Sequence, residues 1–286
     1  MIFFLFNFGL CVGSFLNVLI YRLPNELSPL KGRSFCPQCK HQLAWKDNLP
    51  LLSFFWLRAK CRYCHSPISW QYPVVEMTTG ILFLLIGLGF FRELGRLEML
   101  RGSLIGLGYL LFIISSLIVI FFADLKYQII PDKIVYPAMI IAGIFNSSAK
   151  GGPRFAGQFL ISNQFSRLSS LGSEAIGGQA IFNYLLAGLG AGGFFLTLFL
   201  LTRGKGMGFG DVKLAFLMGL ILGFPKIMVA LYLSFLTGAL VGVILILLKK
   251  KRFGQHIPFG PFLVGGTFVS MFYGNQILEW FLKILN

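Results

Sequence analysis

The chain has 286 residues, of which 56% are hydrophobic and only 12% charged, with a formal charge of +15. A soluble domain carries about twice that charged fraction, and apolar runs near the ~20 residues that cross a bilayer recur along the chain. A soluble globular fold is excluded, and the short alternating segments of a β-barrel are absent.

The pattern predicts an all-α polytopic membrane protein of about eight transmembrane helices, with a small cytoplasmic four-cysteine zinc-binding loop domain. The spans fall at residues 2–21, 73–91, 103–123, 131–148, 180–202, 212–224, 227–248 and 260–282. Three parts follow: residues 1–23 as a first transmembrane helix, 24–72 as the loop domain, and 73–286 as the membrane core. Residues 2–21 have no basic start and no small-residue cleavage site, so they read as a retained span. The sixth span is short and is expected to tilt little or to be partly re-entrant.

Basic residues set the orientation. With the N-terminus outside, seventeen of the 25 lysines and arginines lie inside. The excess positive charge then meets anionic membrane lipid rather than nucleic acid. Glycine pairs four apart, Gly9/Gly13, Gly188/Gly192 and Gly238/Gly242, suggest close helix packing. Residues 150–178 read as a polar outside loop.

In the first inside loop, Cys36-Pro-Gln-Cys39 is followed by Cys61-Arg-Tyr-Cys64. Two Cys-x-x-Cys pairs offer four thiolates to one tetrahedral Zn2+. A reducing cytoplasm disfavours disulfides there. Four cysteine ligands leave no open position, so the metal is structural. His41 and His65 beside them read as exposed loop residues, and Cys11 as apolar filler.

Only ten acids occur, so each can be weighed. Glu76, Asp124, Asp132 and Asp211 lie at or inside the cytoplasmic membrane boundary, where an ionisable group is costly. Asp211 has a plain reading as a helix N-cap. Asp132, after Pro131, and Glu76, after Pro73, suit the first turn of a helix. Asp124 sits at a helix C-terminus, where the dipole disfavours an anion. If the third and sixth spans pack together, Asp124 and Asp211 meet at one depth and share a proton. One then acts as base on water and the other as acid, which is peptide hydrolysis without a covalent intermediate. Gly208 and Gly210 make the turn before Asp211 flexible and free of side chains, so a substrate backbone can approach. Two other classes fit the same residues: a zinc-ribbon membrane adaptor without catalysis, and a proton-coupled transporter using the two aspartates as a relay.

Five motifs in order resemble the bacterial type IV prepilin peptidases, over nearly the whole chain. They are GSFLNVLIYRLP at 13–24, the two Cys-x-x-Cys pairs, YPVVE at 72–76, Asp124 with Ile130-Pro131-Asp132, and GFGDVKL at 208–214. The resemblance implies a GxGD-type aspartic endopeptidase of the bacterial inner membrane. Such enzymes remove the basic leader from type IV prepilins or type II secretion pseudopilins on the cytoplasmic side. Many then methylate the new N-terminus with S-adenosylmethionine. It carries the catalytic roles onto Asp124 and Asp211, and gives Asp132 a supporting one. Lys213 is expected to tune the charge of the pair, and Glu76 to attract the basic leader.

Overall fold

The computed structural model describes residues 2–29, 31–93, 100–147, 177–204, 207–248 and 258–285. Most of the polar loop read at 150–178, and the basic run Lys249–Arg252, lie outside the described residues. Nine α-helices are described: α1 Ile2–Arg22, α2 Leu52–Trp56, α3 Gln71–Glu93, α4 Leu100–Tyr127, α5 Asp132–Ser147, α6 Gly177–Leu201, α7 Phe209–Leu222, α8 Lys226–Leu247 and α9 Gly260–Leu285. All but the five-residue α2 coincide with an expected span. Five helices are long and apolar enough to cross a membrane, namely α1, α3, α4, α6 and α8. At 1.5 Å per residue, α5 and α7 reach only about 24 and 21 Å, short of a ~30 Å hydrocarbon core. Among the described residues, five of the eight expected spans are thus helices long and apolar enough to cross a membrane.

The chain forms two compact units. The first comprises Met1–Leu97 with Leu110–Val119. Here α1 packs on α3 at a distance that only glycine allows. A Cβ on Gly9 would stand 2.8 Å from Gly80 Cα, and one on Gly13 would stand 2.7 Å from Glu76 Cα. Without a hydrophobic force between helices in lipid, such close backbone approach is the main source of attraction. At the end of α1, Arg22 turns inward and is buried. Its guanidinium donates to four carbonyls, those of Ser28, Lys31, Gly32 and Arg33, at 2.7 to 3.3 Å. One side chain therefore shapes the whole turn that enters the cysteine loop.

The second unit comprises Glu98–Tyr109 with Ile120–Asn286. Its centre is α7, which touches α5, α6, α8 and α9. Ten of its fourteen residues are buried. A helix apolar on every side belongs in a core, and this accounts for its shortness: α7 is wrapped by protein. Gly188 and Gly192 of α6 lie against Phe216 of α7, as the spacing foresaw. The third pair differs, because Gly238 faces the ring of Phe259. The tightest crossing was not foreseen. A Cβ on Gly219 of α7 would run into Gly188 Cα and the Ala187 carbonyl.

Gly219→Ala is therefore expected to force α6 away from α7 and cost about 1–3 kcal/mol, as overpacking does. Gly193→Ala, with nothing within 4 Å of its Cβ, is the control. Thermal unfolding in detergent should show a lower midpoint for the first and none for the second.

Candidate active site

Asp124 lies in the last turn of α4, four residues before Gln128, whose N–H donates to the Asp124 carbonyl at 2.9 Å. The helix dipole opposes an anion at this end, yet the side chain is only 5% exposed. Its Oδ2 is buried and has no hydrogen-bond partner among the described residues. What faces it is the start of α9. The Gly260 N–H is directed at the Asp124 carboxyl, and a Cβ on Gly260 would stand 2.6 Å from Oδ2. Free N–H groups at a helix N-terminus carry partial positive charge. A second helix thus supplies the polarity that α4 itself withholds.

Asp211 lies in the first turn of α7. The N-cap is Gly208, so Asp211 is the third residue of the helix and not the cap itself. Its own N–H donates to the Gly208 carbonyl at 3.1 Å, and its carboxyl faces the Gly208 N–H. It is 8% exposed. The carboxyls of Asp124 and Asp211 lie within electrostatic reach of each other. The structure therefore brings together the two acids that the sequence paired, inside one unit.

The two glycines of the turn serve different ends. Gly208 has φ −76° and ψ 147°, an extended conformation open to any residue, so flexibility is not what it supplies. Its Cβ position is open, with Asp211 Oδ2 nearest at 3.8 Å, so no side chain stands on that side of the acid. Gly210 offers no such opening. A Cβ there would come within 3.0 Å of Ile130 Cβ, so glycine is required for packing. Gly260 was missed by the sequence reading. The signal was present as Phe-Gly-Pro at the foot of the last span, where a Gly-Pro start hints at a backbone pressed against a neighbour.

Asp132 opens α5, as expected for an acid in a first turn. Both its oxygens accept from Lys213 Nζ, at 2.7 and 2.9 Å. The ammonium also lies 5.1 Å from the ring centroids of Tyr136 and Phe209.

The cysteines gather in the first unit. The ligand atoms of Cys36, Cys39, Cys61 and Cys64 all lie within 4.8 Å of one another, with Cys36 and Cys64 sulfurs 3.9 Å apart. Zinc–thiolate bonds of 2.3 Å place sulfurs about 3.8 Å apart on a tetrahedron, so the set fits one zinc ion. The two halves repeat one turn. Lys40 N–H donates to the Cys36 carbonyl and His65 N–H to that of Cys61. Both Lys40 and His65 take positive φ, 58° and 57°. The Ser66 hydroxyl, 3.1 Å from Cys64 Sγ, and the Ser66 backbone pull the Cys64 thiol down to about 6, toward the thiolate a metal needs. The rings of His41 and Tyr63 meet at a tilt of 36°, with centroids 3.7 Å apart. Asp47 links the turns through Arg62 Nε at 2.7 Å and the Ala44 N–H at 3.1 Å.

Glu76 belongs to this first unit. It is 7% exposed, and its Oε2 accepts from the Leu51 N–H at 2.8 Å. Leu51 precedes α2 at φ 58°. The carboxylate thus ties the cysteine loop to α3.

Residues 7–90 match the bacterial peptidase A24 N-terminal domain, and residues 111–243 match the type IV leader peptidase family. A protein of Aeromonas hydrophila is 32% identical over 97% of this chain and 92% of its own length. The chain belongs to the type IV leader peptidase family. Similar relatives occur in Bacillus subtilis, 30% identical over 98% of this chain and 97% of that protein, and in Pseudomonas aeruginosa, 30% identical over 96% and 91%. All three are named prepilin leader peptidase/N-methyltransferase, which leaves the adaptor and transporter readings unsupported. No solved structure matches the chain.

Purified protein is expected to carry about one zinc per chain, since four thiolates fill one tetrahedral ion. Cys36→Ser should lower that content severalfold by elemental mass spectrometry, and should speed proteolysis of the loop at residues 24–70 as it unfolds.

Proposed function

We propose that this protein is a membrane aspartic endopeptidase that removes the leader of type IV prepilins, with Asp124 and Asp211 as its catalytic pair. The observation that carries the reading is the burial of these two carboxyls within electrostatic reach, one with an unpartnered oxygen, beside the open face of Gly208. Two such groups hold one proton between them. The ionised aspartate takes a proton from water as the oxygen attacks the scissile carbonyl. The protonated aspartate gives its proton to that carbonyl oxygen. As the gem-diol collapses, the proton gained from water passes to the leaving nitrogen, the C–N bond breaks, and one hydroxyl proton returns to the aspartate that gave it, restoring the pair. Gly260 positions Asp124 and lends its N–H to the anion.

The distribution of lysine and arginine supports an N-terminus outside and an active site at the cytoplasmic boundary of the inner membrane. A prepilin, with a basic leader and a following apolar helix, meets the enzyme at that level. The zinc would be held by Cys36, Cys39, Cys61 and Cys64; with all four positions filled it folds the loop and takes no part in hydrolysis. The names of the relatives support a second step, methylation of the new N-terminus with S-adenosylmethionine as donor. No arrangement of described side chains marks a donor pocket.

Asp124→Asn and Asp211→Asn are each expected to lower cleavage of a model prepilin by at least about 1,000-fold, as loss of a member of a cooperating catalytic set does, while the proteins still insert. Wild-type cleavage by either variant would rule the pair out. Gly260→Ala should reduce cleavage on the order of 100-fold by moving Asp124 about 1 Å. Products formed with and without S-adenosylmethionine, compared by mass, should differ by one methyl group.

A further inference from the structure

We infer that the Lys213–Asp132 ion pair is a rotational stop for α7, so that Lys213 and Asp132 are positioning residues for Asp211. The inference rests on the catalytic pair proposed above.

The argument begins with helix geometry. Successive residues are separated by 100° around an α-helix, so Lys213 lies about 200° from Asp211. Asp211 lies within electrostatic reach of Asp124, whereas the Lys213 ammonium is held by α5. Phe209 precedes Lys213 by four residues and Gly210 precedes it by three, so all three share the side of α7 that meets α5.

On that side a single short segment, residues 130–136, meets Phe209, Gly210 and Lys213 in turn, while the Phe209 ring also packs edge-on against Phe199 of α6 at 5.6 Å. Ile130 closes on Gly210, where even a methyl group would stand at 3.0 Å. Asp132 receives two hydrogen bonds from Lys213. Tyr136 lies one turn after Asp132, and its ring with that of Phe209 flanks the ammonium at 5.1 Å each. The lysine side chain is only 17% exposed, while that of Asp132 is 54% exposed. The cation is thus held by a two-point ionic contact and two aromatic faces, with its charge spent on Asp132, and the turn before it is held by the Ile130–Gly210 contact. Ordered this way, it sets how far α7 is turned about its axis, and with that where the Asp211 carboxyl stands. About 1 Å of misplacement at a reacting group costs on the order of 100-fold in rate, so a loose α7 is a slow one. The same contacts explain why a lysine stands two residues past an acid without meeting it.

The test is a double-mutant cycle on cleavage of a model prepilin by the purified full chain in nanodiscs. Lys213→Met and Asp132→Asn should each lower kcat by roughly 10- to 100-fold, with KM within about twofold. The double variant should be no slower than the worse single, because partners in one contact are not additive. Lys213→Arg, which keeps the charge and the stacking, should stay within about threefold of wild type. The midpoint of the pH–rate profile should not move in Lys213→Met. The inference is overturned by wild-type kcat in both single variants, by multiplicative losses in the double, or by a shifted pH midpoint, which would make Lys213 a charge donor to the acids. Should Lys213→Met fail to fold, as judged by gel filtration and thermal midpoint, the near-isosteric Asp132→Asn carries the same reading alone. Inactive Asp124→Asn and Asp211→Asn alongside unaffected Lys213 and Asp132 variants would remove the rotational stop and leave the catalytic pair standing.

Discussion

The meeting of two acids away from water is the constraint on which the second unit is organised. A buried carboxylate is costly unless something polar faces it. Asp124 sits at the unfavourable end of α4, and the nearest polarity comes from a chain segment 136 positions later, the start of α9 at Gly260. Asp211 is provided for locally, by the first turn of its own helix. One acid is thus placed by tertiary structure and the other by secondary structure. The site exists only when α4, α7 and α9 are assembled.

This division also decides how α7 must be held. A 14-residue helix has too little length to be oriented by the bilayer, so its position is a matter of side-chain contacts. Glycine at 188, 192 and 219 draws α6 in to backbone distance. Segment 130–136 grips the opposite end, near the acid. The sequence of the turn is economical in this respect. Gly208 leaves space beside the carboxyl, and Gly210 yields space to Ile130.

Much of this was legible beforehand because the membrane makes charge scarce. With ten acids in the chain, the four near the boundary stood out, and the pairing of Asp124 with Asp211 followed from their depth alone. The four cysteines were legible for a similar reason, since their spacing is set by the geometry of one ion. Other features were hidden because they depend on contacts between distant segments. Nothing local in the sequence says that Gly210 is filled by Ile130, that Lys213 is taken by Asp132 across 81 positions, or that Gly260 touches Asp124. Hydropathy measures apolarity, so it marks α7 as a span although most of that helix is buried within its unit. Nothing local says, either, that the Arg22 guanidinium is enclosed by four carbonyls.

The bond between Glu76 and the Leu51 amide has a wider reach than its size suggests. It is a rivet between an aqueous appendage and a greasy helical hairpin, with α1 and α3 touching at Gly13 and Glu76 themselves. Removing a metal from the four sulfurs would loosen the appendage and withdraw the amide, leaving the Ser14 side chain as partner of a buried carboxyl. A chelator that never enters the lipid would then be felt within it, as a slackening of the first and third helices.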